Sequence, residues 1–590
     1  MNQTWVLDKP TSHCDNDKEF QLFLEFAEKC PILFVDTESN GKAQDGYDIR
    51  DGRGWAMGLS IDAYMPGVGE FAYYFPFRHT VGNIDKSYLY ALKRLLENSV
   101  VCFHNSKFDI PSLATLGIYI TGKFYCTMLM AHWVNENLFS KSLDSLCNYI
   151  GIKGKVESDT FKTFIKLYGW GLVPPSLMAE YAAHDAIACR GVYEHFYPIF
   201  VEEGYDGELW EIEQEFMRDV IIPMEARGVR VDTDLAEKEV IRGEIRMEEI
   251  KKELKLNPGS TKDLTELLIN QLKLPVLKTT PKGAPSMDKE AMRGYEEILE
   301  RRDSPVAKRV LEYRGFQKTV SSNWRAYLNL LSPDGRVRPN YKLHGTKTGR
   351  LSCELPNLQQ IPKVSDKPWN KLVKPGFIAK PGFMLWEADY SQLELRIAAA
   401  YAREQSLIEI FADPSRDVFS EMALELGWPR FDTKTFIYSI QYGAGLERIS
   451  NVFNVDKPTA AMKKAFYYDK WPGFEKVTTK ASVKCRQQGY ITLWSGRRRH
   501  FQWPENEAHK AANSAMQGGA AEIVKRAMIR VNKLIDPEEC SLLLQVHDSM
   551  VFEIEEGKED YYGKLITESM AAVEPDFGVV FRADWHKWGE

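Results

Sequence analysis

The run LLLQVHDSMVFEI, residues 542–554, constrains the fold of this 590-residue chain more than any other stretch. It reads as an apolar strand in a core, yet His547 and Asp548 interrupt it. A carboxylate buried without a partner is strongly destabilising, so the fold has to bring something to it. The sequence offers Asp389, at the end of a second apolar strand, FMLWEAD, and just before the helical LELRIAAAYA. Two such aspartates converging would share a cation pair. Either one alone would serve equally well as a helix cap.

A chain of this length exceeds one core and suggests roughly three or four domains. Hydrophobic residues make up 44% and aromatic residues 12%, ample for burial. Nine cysteines without a C-x-x-C pair argue against a disulfide framework or a structural zinc site, and fit a reducing compartment. The N-terminus lacks the layout of a signal or transit peptide, and no apolar run approaches about 20 residues. The expectation is a soluble, cytoplasmic protein. A net charge of −7 is unevenly spread. Residues 336–380 carry ten basic and two acidic side chains, and residues 484–533 carry ten and three. Two basic stretches on an acidic chain suit a local phosphate-binding surface, although each alone could be a solvated face.

PILFVDTE, residues 31–38, reads as a buried strand followed by a glycine-rich loop, NGKAQDGYDIRDGRG. Strand-like and helical segments alternate to about residue 200, as in an α/β domain. Long charged helices follow, interrupted by NPGST at 257–261, and mixed character returns after 335. Boundaries therefore fall near 200 and 335.

Asp36 and Glu38 are two apart on the first strand, so both point to one face. Like charges side by side repel unless a cation lies between them. FHNSKFDIPSL then brings Asn105 and Asp109. YAAHDAIACRGVY brings Tyr181 and Asp185, four apart on one helical face. A lone D-x-E is a common surface pattern; three acidic motifs in this order in one domain are not. Over residues 1–200 the chain resembles the DEDDy 3′–5′ exonucleases, whose fold is RNase H-like. The resemblance implies that Asp36, Glu38, Asp109 and Asp185 hold two divalent metals and that Tyr181 orients the attacking water. Cys126 stands where that family often has an acidic residue that is not a ligand.

In RFDTKTFIYSIQYG, Arg430, Lys434, Tyr438 and Tyr442 recur every four residues, a drifting stripe on one helix. Gly443 and Gly445 supply its stop. Cations followed by rings suit a nucleoside triphosphate lying along the helix, while aromatic pairs at this spacing are also common core packing. Together with DYSQLELR (389–396) and QVHD (545–548), the stripe resembles the three motifs of the family A DNA polymerases. TGRLSCELPNLQQIP, NSAMQGGAAEIVKRAM and the 257–292 segment match the family too, so the resemblance spans nearly the whole chain.

What the resemblance implies is a DNA polymerase with a proofreading 3′–5′ exonuclease: an RNase H-like domain over 1–200, then a right-hand polymerase over 201–590. In the hand, the thumb takes about 205–335 and the fingers about 405–500. The palm, with an antiparallel sheet, takes about 336–404 and 501–590. Asp389 and Asp548 would hold two Mg²⁺ ions, for which Mn²⁺ can substitute. Arg430 and Lys434 would grip the triphosphate, with Lys434 as proton donor to pyrophosphate. Tyr438, Tyr442, Gln392 and Glu394 would bind the nucleotide, with Glu394 excluding a ribose 2′-hydroxyl. Arg350, Gln359, Asn513, Gln517, His547 and His509 would contact DNA. The implied partners are primer-template DNA, dNTPs and a single-strand-binding protein, helicase–primase or processivity factor. The polypeptide itself would be monomeric. No 5′-nuclease segment precedes the exonuclease here, which favours a replicative, phage-like role.

Three departures stand out. Ser549 follows Asp548 where the family usually has Glu, which removes one carboxylate near the metals. His509 replaces an arginine, and Phe419 a phosphate-binding histidine. Ser549 also keeps open a rival, a nuclease whose polymerase half has become a DNA grip. A non-enzymatic DNA-binding scaffold is a second rival, opposed by two complete carboxylate sets. A single-subunit RNA polymerase is opposed by Glu394 and the exonuclease motifs.

Overall fold

The computed structural model describes residues 11–13, 17–40 and 47–589. The N-terminal segments 1–10 and 14–16, and residues 41–46 of the glycine-rich loop, lie outside them. The alternating pattern of the first 200 residues folds into one mixed sheet. Its strands are β1 (Thr11–His13), β2 (Leu33–Ser39), β3 (Ala56–Met65), β4 (Gly69–Pro76), β5 (Val101–Phe103) and β6 (Phe124–Cys126), in the order β1-β4-β3-β2-β5-β6. β2 pairs antiparallel with β3 and parallel with β5. It is thus an interior strand, and the D-x-E motif lies deep in the sheet, not at an edge. Helix α1 (Ser106–Thr115) starts from Asn105, whose left-handed φ of 74° is one that asparagine tolerates. Helix α2 (Pro175–Glu202) packs across the sheet with Tyr181 and Asp185 buried.

Beyond residue 205, strand Val229–Val231 pairs with Arg336–Val337 and with Phe377–Ile378. The helices between 233 and 329 are therefore an excursion that leaves and returns at one small sheet. The excursion starts with Asp232 capping helix Thr233–Leu254, its Oδ1 accepting from the Leu235 N–H at 3.0 Å. It carries a core of its own around Leu264, Met292, Tyr295 and Val310.

A second sheet is antiparallel throughout: β7 (Phe383–Tyr390), β8 (Cys540–Val546), β9 (Ser549–Glu555) and β10 (Ala583–Lys587), in the order β8-β9-β7-β10. Here the structure corrects the sequence reading. LLLQVHDSMVFEI is not one strand but the hairpin β8–β9, with His547 and Asp548 as its two-residue turn. His547 adopts the left-handed φ of 57° that such a turn demands. Asp548 therefore caps a hairpin rather than interrupting a strand.

Helix α3 (Leu393–Ala402) follows β7, and α4 (Arg430–Gln441) belongs to the helical block from Gln405 to Gln488. The 24-residue α5 (Ala511–Leu534) packs on α3. No described helix is long and apolar enough to cross a membrane.

Candidate active sites

In the N-terminal domain, period-two alternation on β2 and the inward face of α2 bring Asp36, Glu38 and Asp185 together. One ligand oxygen from each lies within 4.8 Å of the others. Asp109 approaches from α1, its Oδ1 accepting from the Thr37 N–H at 3.1 Å and the Thr37 hydroxyl at 2.8 Å. The remaining oxygens, Asp109 Oδ2 and Asp185 Oδ1, are buried without a hydrogen-bond donor. Burial pushes all four carboxyls up, and their mutual repulsion pushes Asp36 and Glu38 up further. Asp109 reaches about 8 even though the Thr37 hydrogen bonds oppose the shift. A buried acidic cluster short of positive charge, with orphaned oxygens, is a donor set that fits a divalent cation.

One member of this site was invisible in the sequence. Lys155 Nζ donates to the Tyr181 hydroxyl at 2.8 Å and lies 3.6 Å from Asp185 Oδ2. Burial works against its charge, but Asp185, Asp36 and Glu38 outweigh that and raise its pKa. A lysine in a loop 26 residues before Tyr181 gives no spacing signal.

In the second sheet, β7 and β9 are neighbours, and Asp389 pairs directly with Ser549, the residue after Asp548. The Tyr390 N–H donates to the Asp548 carbonyl at 3.2 Å, which ties the turn to the end of β7. Burial pushes Asp389 up to about 6, helped by the nearby charges of Glu387 and Asp548. Burial likewise raises Asp548, against the pull of Arg350. Arg350 contacts Glu394 and stands 3.6 Å from Asp548 Oδ1. The Tyr442 hydroxyl donates to the other Glu394 oxygen at 2.8 Å.

The stripe on α4 forms as its spacing predicts. Tyr438 and Tyr442 stack with centroids 6.3 Å apart. Phe419 lies beneath, 5.6 Å from both the Arg430 guanidinium and the Lys434 ammonium. The residue that replaces an expected histidine is thus the apolar floor of the stripe. Arg430 is engaged by Asp417 in a two-pronged pair at 2.7 and 3.1 Å, and this holds Asp417 down at about 2 despite its burial. Burial, and after it the charges of Glu394 and Asp548, raises the Tyr438 hydroxyl.

Arg350, Gln359, His547 and Asp548 line one cleft. Gln359 donates to the Gln545 side chain at 2.7 Å. Gln392 opens α3 with a left-handed φ of 57° and a buried, unpartnered Oε1, and Asn513 Oδ1 is likewise buried and unpartnered. Gln517 is half-buried on α5, and His509 is exposed at the turn before α5. Neither lines that cleft. Glu387, quoted in the sequence only as part of an apolar strand, is buried and hydrogen-bonded to Ser549.

The sequence pattern of DNA polymerase family A matches residues 232–589, and that of a 3′-5′ exonuclease matches residues 13–200. DNA polymerase I of Pseudomonas aeruginosa is 27% identical over 576 residues, 91% of this chain and 61% of that protein. The thermostable DNA polymerase I of Thermus filiformis is 29% identical over 430 residues, 67% of this chain and 49% of that protein. The chain thus spans about half to three fifths of the curated relatives it matches. The solved POL domain of Pol1 from M. smegmatis, in complex with DNA primer-template and dNTP, superimposes with a TM-score of 0.82 at 23% identity, covering 98% of this chain and 99% of that one. That likeness carries the fold: an RNase H-like exonuclease domain followed by a palm, thumb and fingers. With the family pattern covering the sheet, the hairpin and the α4 stripe, the chain belongs to DNA polymerase family A.

Proposed function

We propose that this chain is a template-directed DNA polymerase that extends a primer 3′-hydroxyl with dNTPs and edits with its own 3′–5′ exonuclease. One observation carries the reading. Asp389 at the end of β7 and Asp548 in the adjoining hairpin turn lie side by side, tied by the Tyr390 N–H to the Asp548 carbonyl. Tyr442 of the stripe is joined to Glu394, which Arg350 links to Asp548. The similar M. smegmatis structure contains a primer-template and a dNTP, which supports the same ligands here.

Divalent cations, Mg²⁺ or in its place Mn²⁺, would be held by Asp389 and Asp548, and by Asp36, Glu38, Asp109 and Asp185; they supply charge neutralisation at the reacting oxygens. Arg430 exchanges Asp417 for the triphosphate, and Lys434 grips it from the next turn and donates a proton to the departing pyrophosphate. Glu394, fixed by Arg350 and Tyr442, fills the space under the sugar and excludes a 2′-hydroxyl. Gln359, Asn513, Gln517 and His547 face the primer terminus and the minor groove, where acceptors are shared by all correct pairs. In the exonuclease, Tyr181, held by Lys155, orients the attacking water. A single-strand-binding protein, a helicase–primase or a processivity factor would complete a cytoplasmic replication assembly.

A denaturing gel of a 5′-labelled recessed primer with Mg²⁺ tests this. Extension with dNTPs and shortening without them are expected, with Asp548→Ala removing the first and Asp36→Ala the second. Shortening under both conditions would refute the polymerase reading.

A further inference from the structure

Ser549 leaves the hairpin turn one carboxylate short, and the structure shows a carboxylate on the adjacent strand. Glu387 and Asp389 are two apart on β7, so they share a face. Ser549 is the direct cross-strand partner of Asp389. Its hydroxyl donates to Glu387 Oε1 at 2.7 Å, with the Val546 carbonyl a second acceptor at 3.0 Å. Lys374 Nζ donates to Glu387 Oε2 at 2.7 Å, and His586 Nε2 lies 3.2 Å from the same oxygen. Glu387 is only 8% exposed.

An ion pair with Lys374 would account for Oε2 alone. The second oxygen is held by the Ser549 hydroxyl, beside Asp548 in sequence and across from Asp389 in the sheet. We propose that Glu387 is a positioning residue for the cations held by Asp389 and Asp548: beside Asp584, the partner of Asp389 on β10, it supplies from β7 a further negative charge on the face of Asp389, and Ser549 sets its direction. This inference rests on reading Asp389 and Asp548 as polymerase metal ligands. It makes the serine of H-D-S one half of a relocated carboxylate, not a lesion.

The charge can be moved back across the 2.7 Å contact. We would compare the full chain with its Glu387→Gln, Ser549→Glu and Glu387→Gln/Ser549→Glu variants. Mn²⁺ binding is read by electron paramagnetic resonance on a complex with dideoxy-terminated primer-template and the matching dNTP. The Asp389→Ala variant identifies the polymerase-site ions. Single-turnover incorporation is read in parallel. Glu387→Gln should weaken those ions about tenfold, with DNA affinity unchanged. Ser549→Glu alone should also weaken them, because it sets two carboxylates in contact. The double variant should return to within about threefold of the parent.

Lys374→Met guards against a folding artefact, since it breaks the ion pair but keeps the carboxylate. Ion binding should survive it. Loss equal to that of Glu387→Gln would make Glu387 a structural anchor and overturn the proposal, as would failure of the double variant to recover. Absence of any Asp389-dependent Mn²⁺ binding in the parent would instead refute the underlying polymerase reading.

Discussion

Tyr438 lies between Phe419 and Tyr442, and its buried hydroxyl is raised further by the charges of Glu394 and Asp548. A nucleotide that lacks its 3′-hydroxyl loses a polar contact in the closed site, and a phenol at this point of α4 can supply a substitute. The enzyme should therefore discriminate poorly against dideoxynucleotides. A hydrogen bond to a charged partner is worth about 1.5–3 kcal/mol, so Tyr438→Phe should raise discrimination roughly 10- to 100-fold. Incorporation ratios of ddNTP to dNTP in single-nucleotide extension measure this directly. A parent enzyme that already needs a large excess of ddNTP would contradict it. Ribose selection should depend on Glu394 as a fixed body, because Arg350 and Tyr442 hold its two oxygens.

Among the elements, α5 is closely fitted to its neighbours. A Cβ added at Gly518 would come within 2.7 Å of the Leu493 side chain and 3.1 Å of the Thr348 carbonyl. The glycine lets α5 pass beneath the hairpin formed by Tyr490–Thr492 and Arg498–His500. Gly518→Val should cost about 1–3 kcal/mol by overpacking, read as a lower urea midpoint. A midpoint unchanged from the parent would show that the hairpin yields freely.

The same scale separates what the sequence discloses from what it hides. Asp36, Glu38 and Asp185, which the fold brings together, were legible because metal chemistry needs carboxylates and strand or helix periodicity says which ones share a face. The β8–β9 turn was not. Its apolar residues run on both sides of His547–Asp548 without the Gly or Asn that usually marks such a turn. Lys155 and Glu387 were hidden for a different reason. Each reaches its partner across a chain separation that only the tertiary fold closes.

At the level of the whole molecule, buried ion pairs staple the N-terminal domain to the rest of the chain. Lys107 on α1 meets Glu225 at 2.6 Å, and Glu136 meets Arg499 at 2.8 Å. Glu136 also accepts from the His500 backbone N–H at 2.6 Å, and its second oxygen lies 3.1 Å from Nδ1 of that ring. Burial disfavours the charged His500 ring, but Glu136 and Glu203 prevail and push it up to about 9. A histidine whose folded pKa is raised lends stability that is fully present below its ordinary value near 6.5 and is lost as pH rises through about 9. The difference in urea midpoint between the parent and His500→Gln should accordingly be large at pH 6 and shrink by pH 10. A flat difference would mean that the ring is held neutral.

That staple has a consequence for how editing is timed. Under the proposed function, with both carboxylate sites held in one frame, a mistaken strand end would have to come loose and travel from one to the other. The choice between extending and trimming then becomes a property of the nucleic acid. A terminus that frays readily, through a mismatch or a run of weak pairs or a warmer solution, would be trimmed more often, and the melting of the last few base pairs would then serve as the error signal.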